Sequence, residues 1–158
     1  MQKKWIVAFI LLIVIACKKK HLNDCSEAVC PEIYLAPPFL KFTLSDKTTN
    51  QDLFFASSPQ YQLKDLVVFK KKNTTDTVHV PIYVDSSNTT KKFAAVVNEN
   101  DNTFFIQIQN QKPDTINILL KPIFAHCCPA GYIFEVLKLN GKLICNDCVP
   151  STIVDIKK

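Results

Sequence analysis

Apolar and polar residues alternate with a period of two along most of the chain, and a helical period is scarcely visible. Leu40, Phe42 and Leu44 alternate with Lys41, Thr43 and Ser45. Leu66 to Phe69 is a short apolar run ending in Lys70-Lys71-Lys72, which reads as a solvated strand end. Val78, Val80, Ile82 and Val84 share one face of a single expected strand, with His79, Pro81, Tyr83 and Asp85 opposite. Pro81 has no N–H to give a ladder, which sends that strand to a sheet edge. Phe93, Ala95 and Val97 predict the next strand, and Phe104, Ile106 and Ile108, alternating with Phe105, Gln107 and Gln109, the one after it. Ile116, Ile118 and Leu120 continue the series.

Turn chemistry separates these runs at Asn73–Asp76, Asp85–Asn88, Asn98–Asn102 and Asn110–Asp114, since asparagine and aspartate tolerate left-handed backbone. The strongest local signal is Asn140-Gly141, between Tyr132–Leu139 and Lys142–Cys145. That dipeptide suits a type I′ hairpin, in which both central residues need positive φ. Eight or nine strands at about ten-residue spacing predict an all-β chain: a single antiparallel β-sandwich, immunoglobulin-like or related. A small barrel is the alternative. Phe54-Phe55 and Phe104-Phe105 read as core.

The first residues break this pattern. Met1 to Lys4 carry two lysines and no acid, and Trp5 to Ala16 are uniformly apolar. A basic start and a short apolar run make a secretory signal, and the run falls short of the ~20 residues that span a bilayer. Val14-Ile15-Ala16-Cys17 resembles the lipobox of bacterial lipoproteins, and the chain resembles small envelope lipoproteins of the Bacteroidetes. The resemblance implies a signal peptide over 1–16, cleavage before Cys17, and lipid on the Cys17 sulfur. Two or three acyl chains there give stable anchoring where one is marginal. Residues 17–31 read as a Lys-rich tether carrying Cys25 and Cys30, and 32–158 as the sandwich domain. Lys18-Lys19-Lys20 stand where an acidic cluster would favour display at the cell surface in that group, so the expected address is the outer membrane, facing the periplasm.

Composition narrows the chemistry. All 19 basic residues are lysine; without arginine's bidentate fork, and with a net charge of only +5, nucleic-acid binding is not expected. The 2 glycines, Gly131 and Gly141, are too few for a phosphate-binding loop or dinucleotide fingerprint. Neither a Gly-x-Ser-x-Gly elbow nor a His-Glu-x-x-His helix occurs. His21, His79 and His126 lie far apart. The carboxylates Glu99 and Asp101, Asp46 and Asp52, and Glu135 show no spacing that pairs them for acid–base work.

Six cysteines remain besides Cys17: Cys25, Cys30, Cys127, Cys128, Cys145 and Cys148. In an exported chain an even set reads as disulfides. Adjacent Cys127 and Cys128 diverge along extended chain, so each needs a partner elsewhere. If Leu139 pairs with Lys142, Cys145 falls opposite Val136 and Cys148 opposite Ile133, approaching Cys127-Cys128, with Cys25 and Cys30 capping that end. Bridges from the N-terminal pair would close loops of about 100 residues and staple the tether to the sandwich. Two sharper readings compete. Cys145-Asn146-Asp147-Cys148 is similar to the Cys-x-x-Cys of thioredoxin-type enzymes, although no helix follows it. Alternatively, His126 and Cys127, Cys128, Cys145 and Cys148 hold zinc. Asp76-Thr77-Val78 and Asp114-Thr115-Ile116 resemble the Bacteroidetes O-glycosylation acceptor, which makes Thr77 and Thr115 candidates.

The expected function is a non-enzymatic, membrane-anchored binding or structural module with no cofactor or metal. Its expected partners are the membrane, through Cys17, and another envelope protein or a glycan. The alternative is a thiol–disulfide or zinc-dependent protein working through the C-terminal cysteines.

Overall fold

A computed structural model of the chain describes Cys30 and residues 35–87, 90–125 and 127–158. The expected signal peptide, Cys17, His21, Cys25, His126 and the expected tether apart from Cys30 lie outside the described residues. Ten strands follow one another: β1 (Phe39–Ser45), β2 (Leu66–Lys71), β3 (Thr77–His79), β4 (Ile82–Asp85), β5 (Lys92–Val96), β6 (Thr103–Ile108), β7 (Asp114–Ala125), β8 (Cys128–Leu139), β9 (Lys142–Cys148) and β10 (Ile153–Lys157). They form two packed sheets, ordered β10-β1-β5-β4 and β3-β2-β6-β7-β8-β9. The chain is an all-β sandwich. Every pairing is antiparallel except β1 with β10, which is parallel with Phe42 beside Val154 and Leu44 beside Ile156.

The alternation builds the core. Leu40, Phe42 and Leu44 from one sheet meet Phe104, Ile106, Ile108, Ile116 and Ile118 from the other, all buried in one cluster. Each such side chain contributes roughly 1.5–3 kcal/mol on burial. Phe93 stacks on Phe42 at 5.3 Å and takes Phe54 edge-on at 5.2 Å. Phe54 reaches that position on a loop shaped by Asp52, whose carboxylate accepts the N–H groups of Phe54 and Phe55.

Three expectations need correction. The single strand expected over 78–84 is two strands on different sheets: β3 pairs with β2, and β4 pairs with β5. Pro81 sits where the chain crosses between sheets, and both strands are edges, as a residue without an N–H requires. Strand β10 was not foreseen, so the count exceeds the expected eight or nine, and its parallel pairing departs from a purely antiparallel sandwich. Finally, the Asn140-Gly141 turn forms as expected, with φ of 50° and 79°, but the register beyond it differs. A bulge leaves Ile144 unpaired between Leu143, opposite Lys138, and Cys145, opposite Leu137. Cys148 then faces Phe134, not Ile133.

A second irregularity keeps both cysteines on the inner face. Against β7, β8 has an extra residue at Glu135, since Leu119 pairs with Val136 and Leu120 with Phe134. Phe134 and Leu137, three apart, therefore both reach the core. Residues three apart on a regular strand point to opposite faces; here Cys145 and Cys148 follow Leu137 and Phe134 inward.

Candidate functional site

The β7–β8 hairpin is longer than the sandwich that supports it. Strand β6 accompanies β7 only from Asp114 to Asn117, and β9 accompanies β8 only from Phe134 to Leu139. Beyond those points Lys121–Ala125 and Cys128–Ile133 form a two-stranded ribbon with no neighbouring strand on either side among the described residues. Pro122 is tolerated there because the outer side of β7 has no ladder to supply. An isolated two-stranded ribbon is marginal in water, and this one is pinned: Cys30 is disulfide-bonded to Cys128, with Cα atoms 5.4 Å apart and a sequence separation of 98. Cys127 is also disulfide-bonded.

Between the ribbon and the body lies an open cleft of about 490 Å³, lined by Pro37, Pro38, Phe39 and Pro150 of the body and by Ile123 and Tyr132 of the ribbon. Tyr132 donates a hydrogen bond to the Glu99 carboxylate, which raises the phenol's pKa and holds its proton in place. Around the corner, on the outer face of the four-stranded sheet, Phe39 meets Tyr83 edge-on at 6.4 Å. A shallow depression beside them is floored by Ala94 and flanked by the Lys41–Asp85 ion pair at 2.9 Å. Hydrogen bonds from the Ser87 hydroxyl and from Lys41 keep the Asp85 carboxyl well below the ordinary aspartate range. Neither the cleft nor the Phe39–Tyr83 pair was foreseen, because each depends on which strands become neighbours.

Cys145 and Cys148 form their own disulfide, with Cα atoms 6.0 Å apart. The cysteines are not gathered at one end of the sheet as expected. Cys148 lies opposite Phe134, and Cys128 is six positions further along β8, about 20 Å at ~3.3 Å per residue. The length of the ribbon separates them, and the bulge adds one position. A disulfide sulfur offers no thiolate to a metal, and among the described residues no group of three or more His, Cys, Asp or Glu has metal-holding geometry. His79 lies exposed in β3, opposite Phe69.

The carboxylates considered for acid–base work are occupied locally. Asp101 pairs with Lys70 at 2.6 Å, and Glu135 lies 4.0 Å from Lys121. Asp46 accepts the N–H groups of Thr48 and Thr49 in its own turn, which lowers its pKa. Asp52 is held in the Phe54 turn. Thr77 is exposed at the start of β3, whereas Thr115 is partly buried in β7.

Comparison with protein-family models, curated proteins and solved structures returned no match.

Proposed function

We propose that the chain is a lipid-anchored envelope protein whose sandwich serves as a non-enzymatic binding module on the periplasmic side of the outer membrane. The observation that carries this reading is the lipobox Val14-Ile15-Ala16-Cys17 followed, thirteen residues on, by Cys30, which enters a disulfide with the sandwich. Disulfides persist in an oxidising compartment such as the periplasm, which agrees with an exported address. An immunoglobulin-like relation is supported by strand order. Taking β1 to β7 as strands B, C, C′, D, E, F and G, the sheets read D-E-B and C′-C-F-G. The Phe39–Tyr83 depression is the surface offered to a protein or glycan partner. Thr77 is the better placed of the two glycosylation candidates, being exposed.

Expression in a Bacteroidetes host, with intact mass of the purified chain, tests the anchor. A diacylglycerol adduct on Cys17 that disappears in Cys17→Ser, together with release from membranes, is the expected result; a mature chain without lipid overturns it. A second reading, thiol–disulfide exchange, is favoured by the Cys145–Cys148 disulfide on the edge strand β9. Rapid exchange of that disulfide with a periplasmic oxidoreductase, with the rest of the chain still folded, would replace the binding-module reading.

A further inference from the structure

The distal ribbon has a composition that water does not favour. From Pro122 through Phe134 there is no lysine, arginine, aspartate or glutamate, although Pro122 to Ala125 are all exposed. Phe124 is 63% exposed and Ile123 40%. As neighbours on one strand they point to opposite faces, so the ribbon is apolar on both sides. A partner protein docked on one face would leave the other in water; immersion covers both.

The chemistry of the occupant follows from where the tether enters. Cys30 is bonded to Cys128 near the ribbon's tip, and Cys30 lies only thirteen residues beyond Cys17. That length spans at most about 45 Å. A lipid on Cys17 therefore lies within reach of the ribbon to which Cys30 is bonded. We propose that the ribbon dips into the bilayer surface through Ile123 and Phe124, a second membrane contact that sets the orientation of the tethered domain. The inference rests on the reading of Cys17 as a lipid site. Insertion is shallow, because the ribbon's outer edges carry backbone groups that the hydrocarbon core cannot satisfy; Pro122 and Pro129 each remove one such N–H.

Trp5 is the only tryptophan and falls within the signal peptide, so Phe124→Trp makes a single-tryptophan reporter in the mature chain. The test compares it with Leu63→Trp, an exposed position beside the Ile108 end of β6, at the far end of the six-stranded sheet. Both full-length chains are purified with their lipid and reconstituted into phosphatidylethanolamine–phosphatidylglycerol vesicles, with wild type as the blank. The expected result is a blue-shifted indole emission from the Phe124→Trp chain, strongly quenched by brominated acyl chains. The Leu63→Trp chain should show neither shift nor quenching. Lipidated Phe124→Trp chain that floats with the vesicles while keeping a water-like, unquenched emission overturns the ribbon contact and leaves the anchor standing. A chain that carries no lipid and does not float overturns the anchor, and with it this proposal. A blue shift that needs no vesicles and grows with protein concentration assigns the ribbon to a second copy of the chain instead, which also overturns it.

Discussion

Asn140 performs two separable tasks at the β8–β9 turn, and substitution can pull them apart. Its backbone holds φ at 50°, and its side chain ties the turn to the start of β7. The Asn140 carbonyl oxygen accepts the Thr115 N–H at 2.9 Å, and its amide donates to the Asp114 carboxylate at 2.6 Å. The Asn140 N–H also donates to the Thr115 carbonyl at 2.7 Å, a bond that survives any substitution except proline. Removing the two side-chain bonds costs about 0.5–1.5 kcal/mol each, with the charged partner towards the upper end. Placing an ordinary side chain at left-handed φ costs roughly a further 1 kcal/mol, which glycine avoids. Asn140→Gly should therefore lose about 1–3 kcal/mol and Asn140→Ala about 2–4 kcal/mol. With a urea m-value of about 2 kcal/mol/M, the midpoint falls by about half to one and a half molar between wild type and Asn140→Gly, and further to Asn140→Ala. Equilibrium urea unfolding of the three chains under non-reducing conditions measures this directly. A midpoint for Asn140→Gly equal to wild type would show that the ties to β7 carry no net stability. Equal losses in the two variants would show that left-handed backbone does not decide this turn.

Phe134→Ala, at a fully buried site opposite Cys148, should cost about 3–5 kcal/mol, whereas Phe124→Ala on the ribbon should change stability by less than about 0.5 kcal/mol; thermal unfolding of both distinguishes core from arm. Peptide mapping of thiol-blocked, unreduced protein should recover Cys30 linked to Cys128 and Cys145 linked to Cys148, and a link from Cys145 or Cys148 to Cys127 or Cys128 would contradict the register of β9. Asp46, Asp85 and Asp155 all titrate below the ordinary value of 3.8; for Asp155, burial raises the pKa, but bonds from Lys157, Ser45 and Thr43 outweigh it. A depressed folded-state pKa contributes stability above the unfolded value that is lost as pH falls through the folded one. Urea midpoints should thus drop below about pH 4, and the drop should be shallower in Asp85→Asn; an acid limb unchanged by that substitution would remove Asp85 from the account.

What could be read from the chain was local. Leu40, Phe42 and Leu44 announce β1 because one face is buried and the other wet, and Asn140-Gly141 announces its turn because few other dipeptides accept two positive φ values. What could not be read depended on neighbours. The run from Val78 to Val84 alternates without a break, yet Pro81 divides it between two sheets, and alternation carries no information on which sheet a strand joins. Phe134 and Leu137 are three apart, a spacing that spoils the period-two signal; the bulges that bring both inward are visible only once β7 and β9 are in place. The β9 bulge shifts Cys145 and Cys148 by one position; the rest of their distance from Cys127-Cys128 is the length of the ribbon. Strand β10 presents Ile153 and Val154 in succession, and only its parallel contact with β1 shows that Val154 faces inward while Ile153 does not. For the ribbon, the uncharged stretch was present in the sequence, but its exposure follows from β6 and β9 ending short of it.

The management of sheet edges sharpens the meaning of that exposure. Unpaired strand edges invite association with other chains, and short strands, bulges, prolines and charges suppress it. Each sheet edge here is blunted in one of those ways. β3 has three residues and β4 four, and Pro81 interrupts the chain between them. β9 is bent by the Ile144 bulge and clamped by the Cys145–Cys148 disulfide, so it offers no long flat edge. β10 carries Asp155 and Lys157, which pair at 2.9 Å. Against this background the ribbon is the exception: among the described residues no strand pairs with either of its edges, and its faces carry Ile123 and Phe124 without a flanking charge between Lys121 and Glu135. A fold that protects four edges yet leaves this arm apolar, and stakes a disulfide on holding it beside the tether, implies that the arm is covered in the protein's working state. The lipid proposed on Cys17, thirteen residues from Cys30, would be within reach to cover it.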